Sequence, residues 1–166
     1  MTDTAERDAH TVVLPLKGRR AVITGRSTGI GRAIAILLAS EGARVFIGGS
    51  EPAHLDAALE SIRAVGEGDG LAIDLAEEDN VGRFLDAATA YLGDYDIAIA
   101  NAAVAAEGIG DTSEAELRRA IGLNFTHYLL LARAAAASMK DHGDIVLVGS
   151  MSAYVLGAGS TVYAGI

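Results

Sequence analysis

The stretch Thr24-Gly25-Arg26-Ser27-Thr28-Gly29-Ile30-Gly31 lies between a short apolar run, Arg20 to Thr24, and an apolar helical stretch from about Ile30 to Ser40. Gly25 permits a tight turn, Gly29 lets backbone approach a pyrophosphate, and Gly31 lets the helix pack on the strand. The first turn of that helix offers unpaired N–H groups to an anion. Outward from this loop, short apolar runs keep alternating with longer amphipathic ones, the pattern of a parallel sheet with crossover helices. The fold class expected is α/β.

Glu41-Gly42 stops the first helix. A second strand is expected at Arg44 to Ile47, ending in Gly48-Gly49-Ser50, and Pro52 opens a helix to about Val65. Leu71 to Ile73 is expected as a short third strand, and Glu77-Glu78-Asp79 suits the positive end of a helix running to about Leu92. Ile97 to Ala100 is the fourth strand. Thr112 with Glu114 and Glu116 resembles a helix start, and a long helical region follows to about Lys140 with a break or bend near Gly122. Ile145 to Val148 makes the fifth strand, and Gly149 to Ile166 opens a sixth unit. No repeat, linker or charge block divides the chain, so residues 1–16 are expected as a tail and 17–166 as one domain.

Composition bounds the function. The 166 residues carry 13 Lys+Arg against 22 Asp+Glu, a net charge of −9, and no cysteine. Without cysteine there is no disulfide, thiol nucleophile or cysteine-ligated zinc, and a reducing, cytoplasmic location is expected. The acidic balance argues against nucleic acid, whose phosphates need clustered Lys and Arg. Met1 to Thr11 has no apolar signal-peptide core, and the most apolar windows, Ala33 to Ala39 and Tyr128 to Met139, are too short to span a bilayer. No membrane partner is expected. His10, His54, His127 and His142 lack ligand spacing, so they are expected as surface or packing residues and no metal is implied.

The Thr-Gly-x-x-x-Gly-x-Gly spacing and the residues that follow it resemble the short-chain dehydrogenase/reductase family from Lys17 to Ile166. Asp74 matches the aspartate that holds the adenine ring, with Leu75 beside it. Asn101, in Ala100-Asn101-Ala102-Ala103, matches the second asparagine of the family's Asn-Asn-Ala-Gly segment; the first Asn and the Gly are alanine here. Asn124, in Asn124-Phe125-Thr126-His127, matches the asparagine that orders a water in the family's proton relay. Ser150, directly after the fifth strand, and Tyr163, thirteen residues later, match the catalytic serine and tyrosine, a separation that Ser152 and Tyr154 do not keep. The resemblance implies a Rossmann-type doubly wound sheet in three α/β/α layers. It also implies hydride transfer between NADP(H) or NAD(H) and a ketone or secondary alcohol, with Ser150, Tyr163 and Asn124 as catalytic residues. The cofactor-binding positions implied are Gly25, Arg26, Ser27, Thr28, Gly29, Ile30, Gly31, Ser50, Asp74, Leu75, Asn101 and Ala102.

The family places a lysine four residues after the tyrosine, where it binds the nicotinamide ribose and lowers the tyrosine pKa. That position is one past Ile166, and the lysines present, Lys17 and Lys140, lie away from the tyrosine's helix. The sequence is therefore expected to be the N-terminal two-thirds of a longer enzyme, with its fifth strand left as an exposed edge. Enzymes choosing NAD carry an acid after the second strand; here Gly49 and Ser50 stand there, with Glu51 one step further. Arg26 adds positive charge in the glycine loop, so NADP(H) is the expected cofactor. Val104-Ala105-Ala106 and Met151 to Leu156 are mostly small or apolar and suit a substrate with an apolar body. The resemblance further implies a homo-oligomer, a tetramer or a dimer. The competing reading is a non-catalytic dinucleotide-binding or regulatory protein with an incomplete active site.

Overall fold

Strands covered on both faces can be apolar throughout, and three of the five follow that rule. In the computed structural model, which describes residues 14–25, 29–77, 79–139, 142–155 and 159–166, β1 (Arg20–Thr24), β2 (Arg44–Gly49) and β4 (Ile97–Ala100) are buried almost end to end. β3 (Glu67–Ala72) and β5 (Asp144–Leu147) flank them in the order β3-β2-β1-β4-β5. Every pairing is parallel, with Arg20 opposite Arg44 and Ala21 opposite Ile97. The tail up to residue 13, the loop residues Arg26, Ser27 and Thr28, and Lys140 lie outside the described residues.

Helices α1 (Gly29–Ser40) and α2 (Pro52–Arg63) cover one face, where Ile23, Val45, Ile47 and Ile99 meet Ala35, Leu55 and Ile62. On the other face, α3 (Asn80–Leu92) and α5 (His127–Ser138) bring Phe84, Leu85 and Leu131 onto Val22, Phe46 and Ala98. The three α/β/α layers and the Rossmann-type order are those expected. α4 (Glu114–Ile121) passes through a π-helical turn, Gly122–Thr126, into α5, and a 3-10 turn, Met151–Ala153, precedes α6 (Thr161–Gly165). Because the chain leaves β1 toward β2 but returns to β4 on β1's other side, the crossovers diverge there. The strands' C-terminal ends open a crevice at that switch point.

Several boundaries differ from expectation, each for a tertiary reason. The third strand begins at Glu67, not Leu71, although Glu67-Gly68-Asp69-Gly70 has poor strand propensity. A Cβ at Gly68 would lie 2.5 Å from Ile62 Cγ2 on α2, so the bare backbone is what lets that helix settle against the edge strand. Near Gly122, where a break or bend is expected, the helix is irregular without breaking: Gly122, at φ −56° and ψ −50°, stays helical and opens the π turn. α3 starts at Asn80 rather than in the acidic run, after Asp79 takes a left-handed φ of 63°. α4 is capped by Ser113, not Thr112: Ser113 Oγ accepts the Glu116 N–H at 3.3 Å while the Ser113 N–H donates to the Glu116 carboxylate at 2.8 Å. The fifth strand is Asp144–Leu147, one residue earlier than expected, and Val148 still donates its N–H to Ala100.

At the N-terminal ends of the strands, Arg20 donates its backbone N–H, Nε and Nη2 to the Asp96 carboxylate at 2.9 to 3.0 Å, tying β1 to the start of β4. The β5 edge is apolar and open, with Ile145, Val146 and Leu147 between 39% and 50% exposed.

Candidate active site

Thr24 ends β1, and the turn after it can be made only by glycine. Gly25 has φ 138°, and a Cβ there would run into the Asn101 side chain, so conformation and space make the same demand. Asn101, just past β4, donates its backbone N–H to Thr24 Oγ1 at 3.2 Å. The Thr24 hydroxyl lies 2.7 Å from His127 Nε2, and His127 Nδ1 lies 2.7 Å from the Leu123 carbonyl. A carbonyl can only accept, which assigns the proton to Nδ1 and makes Nε2 the acceptor of the Thr24 O–H. Burial pushes the His127 pKa down, against a smaller upward effect of the Leu123 carbonyl. A neutral ring at 1% exposure thus ties the glycine loop to the π turn.

Above this network the ends of β1 to β4 enclose a cleft whose walls include Gly25, Ser50, Asp74, Leu75, Ala102 and Arg119. Five positions expected from sequence are therefore brought together from four strand ends. Gly29 has φ 64°, and no described residue lies within 4 Å of where its Cβ would be. Gly31 is buried within α1, while Ile30 is 63% exposed. Asn101 backs Gly25 rather than lining the cleft.

In the cleft, Asp74 Oδ1 accepts the Ala76 N–H at 3.1 Å and Oδ2 accepts from Arg119 Nη1 at 2.6 Å. Burial raises the Asp74 pKa, but the hydrogen bonds from Arg119 and Ala76 outweigh it and hold the carboxyl below its ordinary value. The Arg119 guanidinium is shifted upward by the same bond. An ionised acceptor, a glycine rim and the N-terminus of α1 suit the base, ribose and phosphates of an adenine dinucleotide.

A second cavity of about 290 Å³ holds Ser150, Tyr163 and Asn124 together, with Tyr128 and Ala103 in its wall. Ala103 also lines the cleft, so the two spaces share a wall. Ser150 caps the 3-10 turn, its Oγ accepting the Ser152 N–H at 3.1 Å. α6 is fastened to the segment after β4: Thr161 Oγ1 accepts the Ile109 N–H at 3.1 Å, and Val162 donates its N–H to Glu107. The Asn124 amide is engaged on both sides by Val104, accepting its N–H at 2.9 Å and donating to its carbonyl at 2.8 Å. Tyr128 donates to the Val148 carbonyl at 3.1 Å, and burial, then the neighbouring Tyr163, pushes its pKa up to about 12.

Sequence reasoning missed Arg119, His127 and Tyr128 as site residues. Only contacts across 45 residues for Arg119 and 103 for His127 single them out, and nothing in local spacing announces either. Tyr128 is half-buried next to His127, their rings meeting edge-on at 4.8 Å, and its tie to Val148 appears only when α5 is laid on the sheet.

A family model described as short chain dehydrogenase matches residues 19–165. The chain is 33% identical over 149 residues to the chloroplastic NADPH-dependent aldehyde reductase 1 of Arabidopsis thaliana, covering 84% of this chain and 52% of that protein. A 3-oxoacyl (acyl-carrier-protein) reductase from Agrobacterium tumefaciens C58 with NADP bound superposes with TM-score 0.84 at 29% identity, over 92% of this chain and 60% of that one. A 7α-hydroxysteroid dehydrogenase complexed with NADH and 7-oxo glycochenodeoxycholic acid gives TM-score 0.85 at 30% identity, over 92% of this chain and 61% of that one. The chain spans between 51% and 62% of the length of the curated relatives it matches. With the parallel order β3-β2-β1-β4-β5 and the cleft at its switch point, the chain belongs to the short-chain dehydrogenase family.

Proposed function

We propose that the protein binds NADP(H) in the cleft and interconverts a ketone and a secondary alcohol in the adjoining cavity. The observation that carries this reading is the shared Ala103 wall, which sets Ser150 and Tyr163 beside the cleft of Asp74 and Gly25. When bound, the nicotinamide supplies or accepts the hydride. Tyr163 exchanges a proton with the substrate oxygen, and the Ser150 hydroxyl donates a hydrogen bond to that oxygen. Tyr128 is tied to Val148 and strongly held protonated, which leaves the proton exchange to Tyr163. Asn124 braces the segment after β4 and lies on the path by which Tyr163 is reprotonated.

The absence of an acid at Gly49 and Ser50, together with Arg26, favours NADP(H) over NAD(H). Relatives named for NADPH or solved with NADP or NADH support a nicotinamide dinucleotide. Residues 17–166 act as one dinucleotide-binding domain of a cytoplasmic homo-oligomer. The exposed Met151, Tyr154 and Val155 beside Ser150 suit a substrate with an apolar body.

The test is titration of NADPH and NADH followed by dihydronicotinamide fluorescence, then NADPH-dependent reduction of an apolar ketone. NADPH binds more tightly, Arg26→Ala weakens NADPH more than NADH, and Tyr163→Phe removes turnover at unchanged NADPH affinity. Equal losses for both dinucleotides in Arg26→Ala would refute the cofactor preference. Full turnover in Tyr163→Phe would refute the catalytic assignment.

A further inference from the structure

Arg118 and Arg119 are adjacent on α4 yet do different things. Arg118 pairs one turn back with Glu114, 2.6 Å away on the outer surface, where such a pair contributes little. Arg119 leaves its helix for Asp74, 45 residues earlier in the chain, at 2.6 Å, and both residues line the cleft. The Ser113–Glu116 capping box holds the start of α4, and the Asn80 amide donates to the Asp74 carbonyl at 2.8 Å, so both ends of the pair sit on fixed backbone. A carboxylate has about four acceptor positions. Arg119 and the Ala76 N–H account for two, one on each oxygen, and the rest can accept from a donor in the cleft.

We propose that Arg119 is a positioning residue of the adenosine end of the cleft, holding the Asp74 carboxylate charged and oriented as the acceptor for the exocyclic amine of an adenine ring. The inference rests on the dinucleotide reading above and extends it to a residue that no motif marks. Without Arg119, the partly buried carboxylate loses its only counter-charge at hydrogen-bond distance among the described residues and is freed about its side-chain torsions. Its acceptance from the amine then weakens, while contacts to the rest of the nucleotide stand.

The experiment compares NADPH with its deamino analogue, in which hypoxanthine replaces adenine and a ring carbonyl replaces the amine. Binding is followed by dihydronicotinamide fluorescence in wild type, Arg119→Met and Arg119→Lys. Wild type prefers NADPH by about tenfold, the factor that one hydrogen bond to a charged acceptor typically contributes. Arg119→Met brings the ratio near one by weakening NADPH alone, and Arg119→Lys restores most of it. A ratio unchanged in Arg119→Met, or equal weakening of both ligands, overturns the inference while leaving the dinucleotide reading intact. Wild type binding both ligands equally also overturns it alone. If wild type binds neither ligand, the dinucleotide reading falls and takes the inference with it. Thermal unfolding of each variant, expected to match wild type for so exposed a pair, checks that binding losses are local.

Discussion

Thr24→Val replaces a hydroxyl by a methyl of nearly the same size, so packing at the end of β1 survives and only hydrogen bonds are removed. Two groups lose their partner, His127 Nε2, 2.7 Å from the hydroxyl in a ring 1% exposed, and the Asn101 N–H, which donates to it at 3.2 Å; the Ile99 carbonyl, 3.3 Å from the hydroxyl, loses only that longer contact. A buried acceptor left unpaired costs about 1–3 kcal/mol, and the half-buried Asn101 N–H adds roughly 1 kcal/mol because water can partly replace the lost acceptor. The expected loss is about 2–4 kcal/mol, or roughly 5–15 °C in Tm for a chain of this size. Urea unfolding at pH 7.5 with both variants' slopes compared is the assay. The companion is the double variant Thr24→Val with His127→Leu, which removes both partners and recovers part of the loss, since paired removal is far cheaper than orphaning one group. A loss below about 0.5 kcal/mol for Thr24→Val, or strict additivity in the cycle, would refute the assigned hydrogen-bond chain.

The same ring makes stability sensitive to mild acid: below about pH 6.5 the unfolded chain takes a proton that buried His127 refuses, so stability falls with decreasing pH by up to about 1.4 kcal/mol per unit until the folded ring's lower pKa is reached. His127→Gln flattens that limb, and an unchanged pH profile of unfolding would count against a buried neutral ring. Asp96 has the same sign in a lower window: the Arg20 hydrogen bonds hold its pKa below the ordinary value, so its contribution is present above about pH 3.9 and disappears as pH falls through the folded value. Asp96→Asn therefore loses about 1–2 kcal/mol at neutral pH and shows a shallower acid limb by chemical denaturation. Gly25→Ala places a Cβ against Asn101 at φ 138° and costs about 1–3 kcal/mol together with a measurable rise in the NADPH Kd. Wild-type affinity in Gly25→Ala would show that the turn relaxes without reshaping the cleft.

How far the sequence could be read depends on whether a signal was local. β1 and β4 were legible to the residue because strands buried on both faces leave uninterrupted apolar runs, Arg20 to Thr24 and Ile97 to Ala100. β3 was not, because Glu67-Gly68-Asp69-Gly70 is selected by the space under α2 rather than by strand propensity. The break or bend expected at Gly122 was placed correctly and takes the form of a π turn: glycine weakens a helix locally, yet packing carries this one through without a break. Asp74, Ser150 and Tyr163 were visible through their positions after strands and their spacing, while Arg119 was one of two adjacent arginines with nothing local to separate them.

By itself the sequence determined the alternation of strand and helix, the glycine turn after β1, and which strand ends carry the polar residues of the cleft, because each is written in residues near one another in the chain. Tertiary structure alone decided that Arg119 reaches Asp74, that His127 is buried against Thr24, and that Asn124 is held by Val104. These are contacts between segments 20 to 103 residues apart, set by how the helices lie on the two faces of the sheet. Their energies depend on burial and hydrogen-bond geometry, which exist only once the layers have packed.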